Sequence, residues 1–147
     1  ITNRTLPRLE EMRRFHQMIG ADLPLEYYHT PLPESADPLV GRLPPQSLVI
    51  NATGLGKDAP GSPITDRAEW PLYGFAWDFN YRGDLVFLAQ ARVQQQVKKL
   101  HIEDGWIYFI HGWMRVIAEV FHIEIATSGP GFEELLQIAA SVENRKR

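Results

Sequence analysis

Short apolar runs alternate along the chain with longer stretches in which apolar residues recur every third or fourth position, a pattern that predicts strands followed by helices. "ITNRT" reads as the tail of a strand. Thr5 is placed to cap a helix whose apolar positions Leu9, Met12, Phe15 and Ile19 keep helical spacing until Gly20 ends it. "LEYYH" predicts a short strand, and Pro31, Pro33, Pro38, Pro44 and Pro45 make residues 30 to 46 a surface loop. "SLVIN" predicts a strand that stops at Asn51 and opens into a loop rich in glycine and proline. "YGFAWDFNY" predicts another strand, and Asp84 is placed to cap a helix over "DLVFLAQARVQQQV". "KLHIED" is the last predicted strand. Asp104 then opens a long, nearly all-apolar helix from about Gly105 to Phe121, and "GFEELLQIAASVENRKR" predicts a terminal helix. Strands that alternate with helices across short connections predict an α/β fold with a doubly wound, mostly parallel sheet.

Composition narrows the classes. A chain of 147 residues that is 44% hydrophobic can bury a core as one domain. A net charge of -3, with Lys and Arg scattered apart from a cluster near the start and the last three residues, argues against a nucleic-acid partner. The chain has no cysteine, hence no disulfide framework and no thiolate zinc site, which fits a reducing cytoplasm. No apolar run approaches the roughly 20 residues of a membrane-spanning helix, and the dispersed histidines show no metal-binding spacing. The chain starts at Ile1 rather than Met and carries no signal peptide, so it is expected to be part of a longer protein.

The glycine loop "VINATGLGKDAPGSP" matches neither common phosphate loop. Gly54, Leu55, Gly56, Lys57 and Asp58 lack both the spacing and the hydroxyl of Gly-x-x-x-x-Gly-Lys-Ser/Thr. Ala59 stands where a dinucleotide turn needs its third glycine, and Pro60 and Pro63 forbid the helix that should follow. Lys57 and Asp58 read as exposed loop charges. In a doubly wound sheet, ligands bind beyond the carboxyl ends of the strands. Those ends carry Asn3-Arg4-Thr5, Asn51-Ala52-Thr53, Asn80-Tyr81-Arg82 and Asp104-Gly105.

At the first of these ends, where a nicotinamide-binding sheet usually places a carboxylate, Asn3 is followed by Arg4, and Arg8 lies one helical turn on. Two guanidiniums attract a 2'-phosphate, which favours NADP over NAD. The alternative is a solvated helix start, but two arginines in a first turn oppose the helix dipole and so suggest an anionic partner. Arg82-Gly83-Asp84 spells an adhesion tripeptide, yet Asp84 is placed as a helix cap. Along the long helix Tyr108, His111, Arg115, Glu119 and His122 form one narrow polar stripe on a cylinder expected to be buried. Either the stripe faces solvent with Arg115 and Glu119 paired, or its first turns, Tyr108 and His111, face a substrate cleft.

"NRTLPR", "LVINATGLG", "WDFNY" and "EDGW" occur in the order and approximate spacing of the shikimate dehydrogenase family, whose pattern runs Asn-Arg-Thr-x-x-Arg, Asn-Ala-Thr-x-x-Gly, Asp-x-x-Tyr and Asp-Gly before a long helix. By this resemblance the chain is similar to the C-terminal, NADP-binding part of such an enzyme, a Rossmann-like fold lacking its first strand and glycine-rich turn. The resemblance implies that Asn3, Arg4, Thr5 and Arg8 hold the adenosine 2'-phosphate. It implies also that Asn51, Ala52 and Thr53 lie along the cofactor, that Gly105 approaches the nicotinamide, and that Tyr81 faces substrate. The glycine loop would then be the wall of a dinucleotide crevice, where small residues let backbone approach a ligand.

The catalytic Lys and Asp of the family would belong to an N-terminal substrate domain ahead of Ile1, against which the C-terminal helices would pack. The implied substrate is a small cyclic hydroxy acid. Gly112 stands where the family offers a glutamine, Arg82-Gly83 where it has Asn-Pro, and Trp106 and Ile107 where it has small residues. These departures point to a differently shaped pocket and to a relative of shikimate such as quinate, or else to a non-catalytic dinucleotide-binding module.

Overall fold

Parallel strands form inside the runs that predicted them, each shorter than its run. The computed structural model describes residues 1–142, a mixed α/β chain of two small parallel sheets and five helices. In the first sheet β1 (Thr2–Asn3) pairs with β2 (Tyr28–His29), Thr2 opposite Tyr28. In the second, β3 (Leu48–Asn51), β4 (Phe75–Asp78) and β5 (His101–Glu103) lie in that order, with Leu48 opposite Phe75 and Phe75 opposite His101. The helices are α1 (Leu6–Met18), α2 (Asp37–Val40), α3 (Val86–Lys98), α4 (Trp106–Phe121) and α5 (Gly129–Val142). The single sheet expected from the sequence is thus two. The sheets meet at a trough of about 880 Å³ bordered by β1 on one side and β3 on the other.

The main core covers one face of the three-stranded sheet. Side chains alternate along β4, so Ala76 and Asp78 are buried on one face while Phe75, Trp77 and Phe79 point to the other. On the Ala76 face α3 contributes Phe87, Leu88 and Ala91, and the segment before β4 contributes Ile64, Ala68 and Trp70. Trp70 meets Phe87 edge-on at 5.2 Å. Two glutamines one turn apart on α3 fasten this segment. Gln90 donates to the Ile64 carbonyl (3.2 Å) and the Asp66 carboxylate (3.0 Å), while Gln94 donates to the Ala68 carbonyl (2.8 Å) and accepts the Trp70 N–H (3.2 Å). On the opposite face Tyr108 of α4 stacks on Phe79 at 4.7 Å and stands edge-on to Trp77 at 5.9 Å. Trp106, Ile110 and Met114, spaced four apart on α4, form a second core with Phe132 of α5.

Several local expectations change. Residues 30 to 46 contain a 3-10 turn at Pro33–Ser35 followed by α2, and Ala36, Asp37 and Val40 are buried. The fastening is long-range, since Asp37 accepts the Thr65 N–H at 2.8 Å and its hydroxyl at 2.5 Å. Asp84 does not cap α3. The cap position is Leu85, in left-handed conformation, and its N–H turns to the Gly56 carbonyl at 3.3 Å. Thr5 occupies the cap position of α1 without a side-chain cap bond. Only Leu9 of the α1 stripe is buried, while Phe15 and Ile19 are more than half exposed. Nor is α4 buried all round: Trp113, Val116, Val120 and Phe121 are exposed beside its polar stripe, in which Arg115 pairs with Glu119. α5 begins two residues before the predicted run, and the predicted end of that helix, residues 143 to 147, lies outside the described residues.

Because Phe87 is 2% exposed and joins α3 to Trp70, Phe87→Ala should cost about 3–5 kcal/mol. Urea unfolding measures this; a loss below about 1 kcal/mol would mean that the segment before β4 is not packed on α3.

Candidate functional site

The carboxyl ends of β3 and β4 are tied by one buried carboxylate. Asp78, with no exposed surface, accepts the Asn51 side-chain amide on both oxygens at 3.1 Å and the Asn80 backbone N–H at 2.9 Å. The carbonyl oxygen of the Asn51 side chain accepts the Thr53 N–H (3.0 Å) and the Thr53 hydroxyl (2.7 Å). Asn80 closes the circuit by donating to the carbonyls of Thr53 (3.0 Å) and Leu55 (3.1 Å). The turn after β3 is therefore shaped by Asp78 of β4, by Asn80 just beyond it and by Asn51, the last residue of β3.

Burial pushes the Asp78 carboxyl above the usual carboxylate range, hydrogen bonds from Asn80 and Asn51 oppose that rise, and the charge of Asp104 adds to it.

The same region holds the start of α4. Gly105 donates its N–H to the Asn80 carbonyl at 3.0 Å, and a Cβ on Gly105 would lie 2.0 Å from the Phe79 carbonyl oxygen. Only glycine lets the helix begin this close to the end of β4. Gly105 occupies the cap position of α4, and Asp104, one residue before it, accepts the Trp106 N–H at 2.8 Å. The glycine loop is likewise held by backbone contact. A Cβ on Gly83 would lie 2.3 Å from the Gly56 carbonyl, so the loop packs against the turn leading into α3.

The trough gathers Asn3 from one sheet with Asn51, Ala52 and Thr53 from the other. Ala52 and Thr53 are exposed, whereas Asn51 is 1% exposed and spent on Asp78 and Thr53. Asn3 accepts the Thr5 N–H (3.0 Å) and hydroxyl (3.2 Å), which orients the turn carrying Arg4. Arg4 is exposed and its guanidinium enters no ion pair among the described residues. Arg8 is also exposed, but it is bound to Glu11 at 2.7 Å.

Tyr81 and His111 lie apart from the trough lining, in the aromatic layer of α4 and α5. Tyr81 packs on Phe109 (4.3 Å) and Trp106 (5.7 Å), and His111 stacks on Phe132 (4.3 Å). Gly105 also lies outside the trough lining. Asp78 and Asn80 are the organising residues that sequence reasoning did not single out as a pair. The available signal was a carboxylate inside the apolar run "FAWDF", a residue that must find donors if the run is a buried strand.

No protein-family model, curated protein or solved structure matches the chain. Among the described residues no group of three or more His, Cys, Asp or Glu is placed to hold a metal ion, and no helix is long and apolar enough to cross a membrane.

A carboxyl whose pKa is raised by folding binds its proton more tightly in the folded state. Stability from Asp78 is therefore lost as pH rises from its unfolded value through its raised folded value. Asp78→Asn removes the titration, so the difference in unfolding midpoint between wild type and variant should change with pH across that window; a constant difference would contradict the raised value. Asp78→Ala orphans the Asn51 amide and the Asn80 N–H and should cost at least about 2 kcal/mol.

Proposed function

We propose that the chain is the cofactor-holding part of an NADP-dependent oxidoreductase similar to the shikimate dehydrogenases, serving hydride transfer between nicotinamide and a cyclic hydroxy acid. One observation carries this reading. The Asn-Arg-Thr turn after β1 and the Asn-Ala-Thr turn after β3 follow parallel strands that border the same trough, where the two sheets meet. In open parallel sheets that junction, beyond the carboxyl ends of the strands, is where dinucleotides bind. The two sheets then read as the halves of one Rossmann-like, doubly wound fold.

The residues fit the adenosine end of the cofactor. Arg4 offers an uncommitted, exposed guanidinium beside Asn3 and Thr5, which suits a 2'-phosphate. Ala52 and Thr53 present an exposed turn to the cofactor's flank, and Asn51 acts as the positioning residue that shapes it. A bound nicotinamide cofactor would give a hydride as NADPH or take one as NADP+; the acid and base would come from a substrate domain outside this chain. The exposed Trp113, Val116, Val120 and Phe121 of α4 support a docking face for that domain. A second reading, a non-catalytic dinucleotide-binding module, is favoured by Tyr81 and His111, which are engaged in aromatic stacks rather than turned to a cleft.

Titration of the 147-residue chain with NADPH, followed by fluorescence, should give a Kd near 100 µM or weaker, roughly -5 kcal/mol. Arg4→Asp should weaken NADPH about tenfold and spare NADH, and Arg8→Asp should do less because Glu11 already holds Arg8. No binding at millimolar NADPH, or equal loss of both cofactors in Arg4→Asp, would count against an adenosine-phosphate site.

A further inference from the structure

We infer that the turn at Ala52 and Thr53 beside the trough is a latch worked by one proton, closed while Asp78 is ionised and opened when Asp78 is protonated. An asparagine side chain has one accepting end and one donating end, and the chemistry of its neighbours fixes which end faces which. In the structure the Asn51 NH2 faces the two Asp78 oxygens, each at 3.1 Å, and its side-chain carbonyl faces the Thr53 N–H at 3.0 Å and the Thr53 hydroxyl at 2.7 Å. That arrangement needs an acceptor at both Asp78 oxygens. Oδ1 already takes the Asn80 N–H at 2.9 Å, so an added proton goes to Oδ2, where it meets the Asn51 NH2 donor to donor.

The conflict has a local remedy. When the Asn51 amide turns over, its carbonyl oxygen accepts the Asp78 O–H and its NH2 comes to face Thr53. The Thr53 hydroxyl oxygen can accept from that NH2, as it already accepts the Leu55 N–H at 3.2 Å. The Thr53 N–H then faces a donor, so the bond that pins the turn to Asn51 breaks and this amide, on an exposed residue, turns to water. The bonds from Asn80 to the Thr53 and Leu55 carbonyls use no Asp78 oxygen and stay, which confines the opening to the turn. Burial raises the Asp78 pKa against the hydrogen bonds from Asn80 and Asn51, so the switch falls nearer neutrality than for an exposed carboxylate. The charge that bears on Asp78 is that of Asp104, between β5 and α4, which adds to the rise; β3 brings the neutral Asn51, and α3 the apolar Phe87, Leu88 and Ala91. A ligand resting on the closed turn binds the ionised form better, so proton and ligand oppose each other. The latch itself needs no cofactor, which keeps its failure distinguishable from failure of the NADP reading.

The test is an NMR titration of the 147-residue chain without ligand, following the Asp78 carboxyl carbon and the Thr53 and Phe79 backbone amides. As pH falls through the Asp78 transition, exchange protection of the Thr53 amide, corrected for the intrinsic pH dependence of exchange, should drop at least about tenfold with the same midpoint. Phe79, whose N–H bonds the Asn51 main-chain carbonyl at 2.9 Å, should keep its protection. Asp78→Asn places an NH2 where the protonated acid carries its O–H, so it should hold the turn open at every pH, with Thr53 poorly protected throughout. If this variant fails to fold, the wild-type titration decides alone. Constant Thr53 protection while Asp78 titrates, or no Asp78 titration within the pH range of the folded chain, overturns the proposal. So does a Thr53 transition that persists in Asp78→Asn, which would assign the transition to another group such as Asp104.

Discussion

A carboxylate with no exposed surface has to be met by donors, and the way Asp78 is met organises this end of the molecule. Its two oxygens are shared between a side chain of the neighbouring strand and a backbone N–H two residues on. Through Asn51 it reaches Thr53, and through Asn80 it reaches Thr53 again and then Gly105. The turn after β3, the turn after β4 and the first residue of α4 are therefore one hydrogen-bonded unit. Loss of Asp78 leaves the buried Asn51 amide unpaired, and loss of the Asn51 side chain leaves one Asp78 oxygen unpaired, so these bonds set the shape of the turns together.

This circuit divides the labour among the candidate residues. Side chains that lie at strand ends and look equally available in the sequence are not equally available in space. Asn51 is consumed by its neighbours, while Ala52 and Thr53 remain exposed beside the trough. Arg8 has a carboxylate partner one turn away, and Arg4 has none among the described residues. The aromatic layer of α4 and α5 draws in Tyr81 and His111. Of these side chains, the Arg4 guanidinium after β1 and the turn Ala52–Thr53 after β3 stay exposed.

Much of the fold was legible in the sequence because strands and long helices announce themselves by period. "SLVIN" and "KLHIED" contain β3 and β5, and the four-residue spacing of Trp106, Ile110 and Met114 marks the buried side of α4. Long-range pairings were not legible. Asp37 finds Thr65 across 28 positions, which turns a proline-rich loop into a seat for a buried helical turn. Gly83 meets Gly56, which bends the chain at Leu85 and takes the capping role from Asp84. Asn51 finds Asp78 across 27 positions. The motifs named both residues' neighbourhoods, but a one-dimensional pattern carries no record of which buried polar group satisfies which.

The close approach of Gly105 to Phe79 also has a mechanical meaning. Backbone in contact with backbone makes a stiff joint, and it sits at one end of a sixteen-residue helix whose far end, at Val120 and Phe121, is exposed. Such a helix is about 24 Å long at its ordinary rise. Sliding along its own axis would drive Gly105 into the Phe79 carbonyl or tear its N–H from Asn80, so displacement of α4 takes the form of a swing about that joint. The geometry is that of a lever with its fulcrum beside Asn80. A tilt of about 5° at the fulcrum carries the tip by about 2 Å, and α5, packed on α4 through Phe132, travels with it.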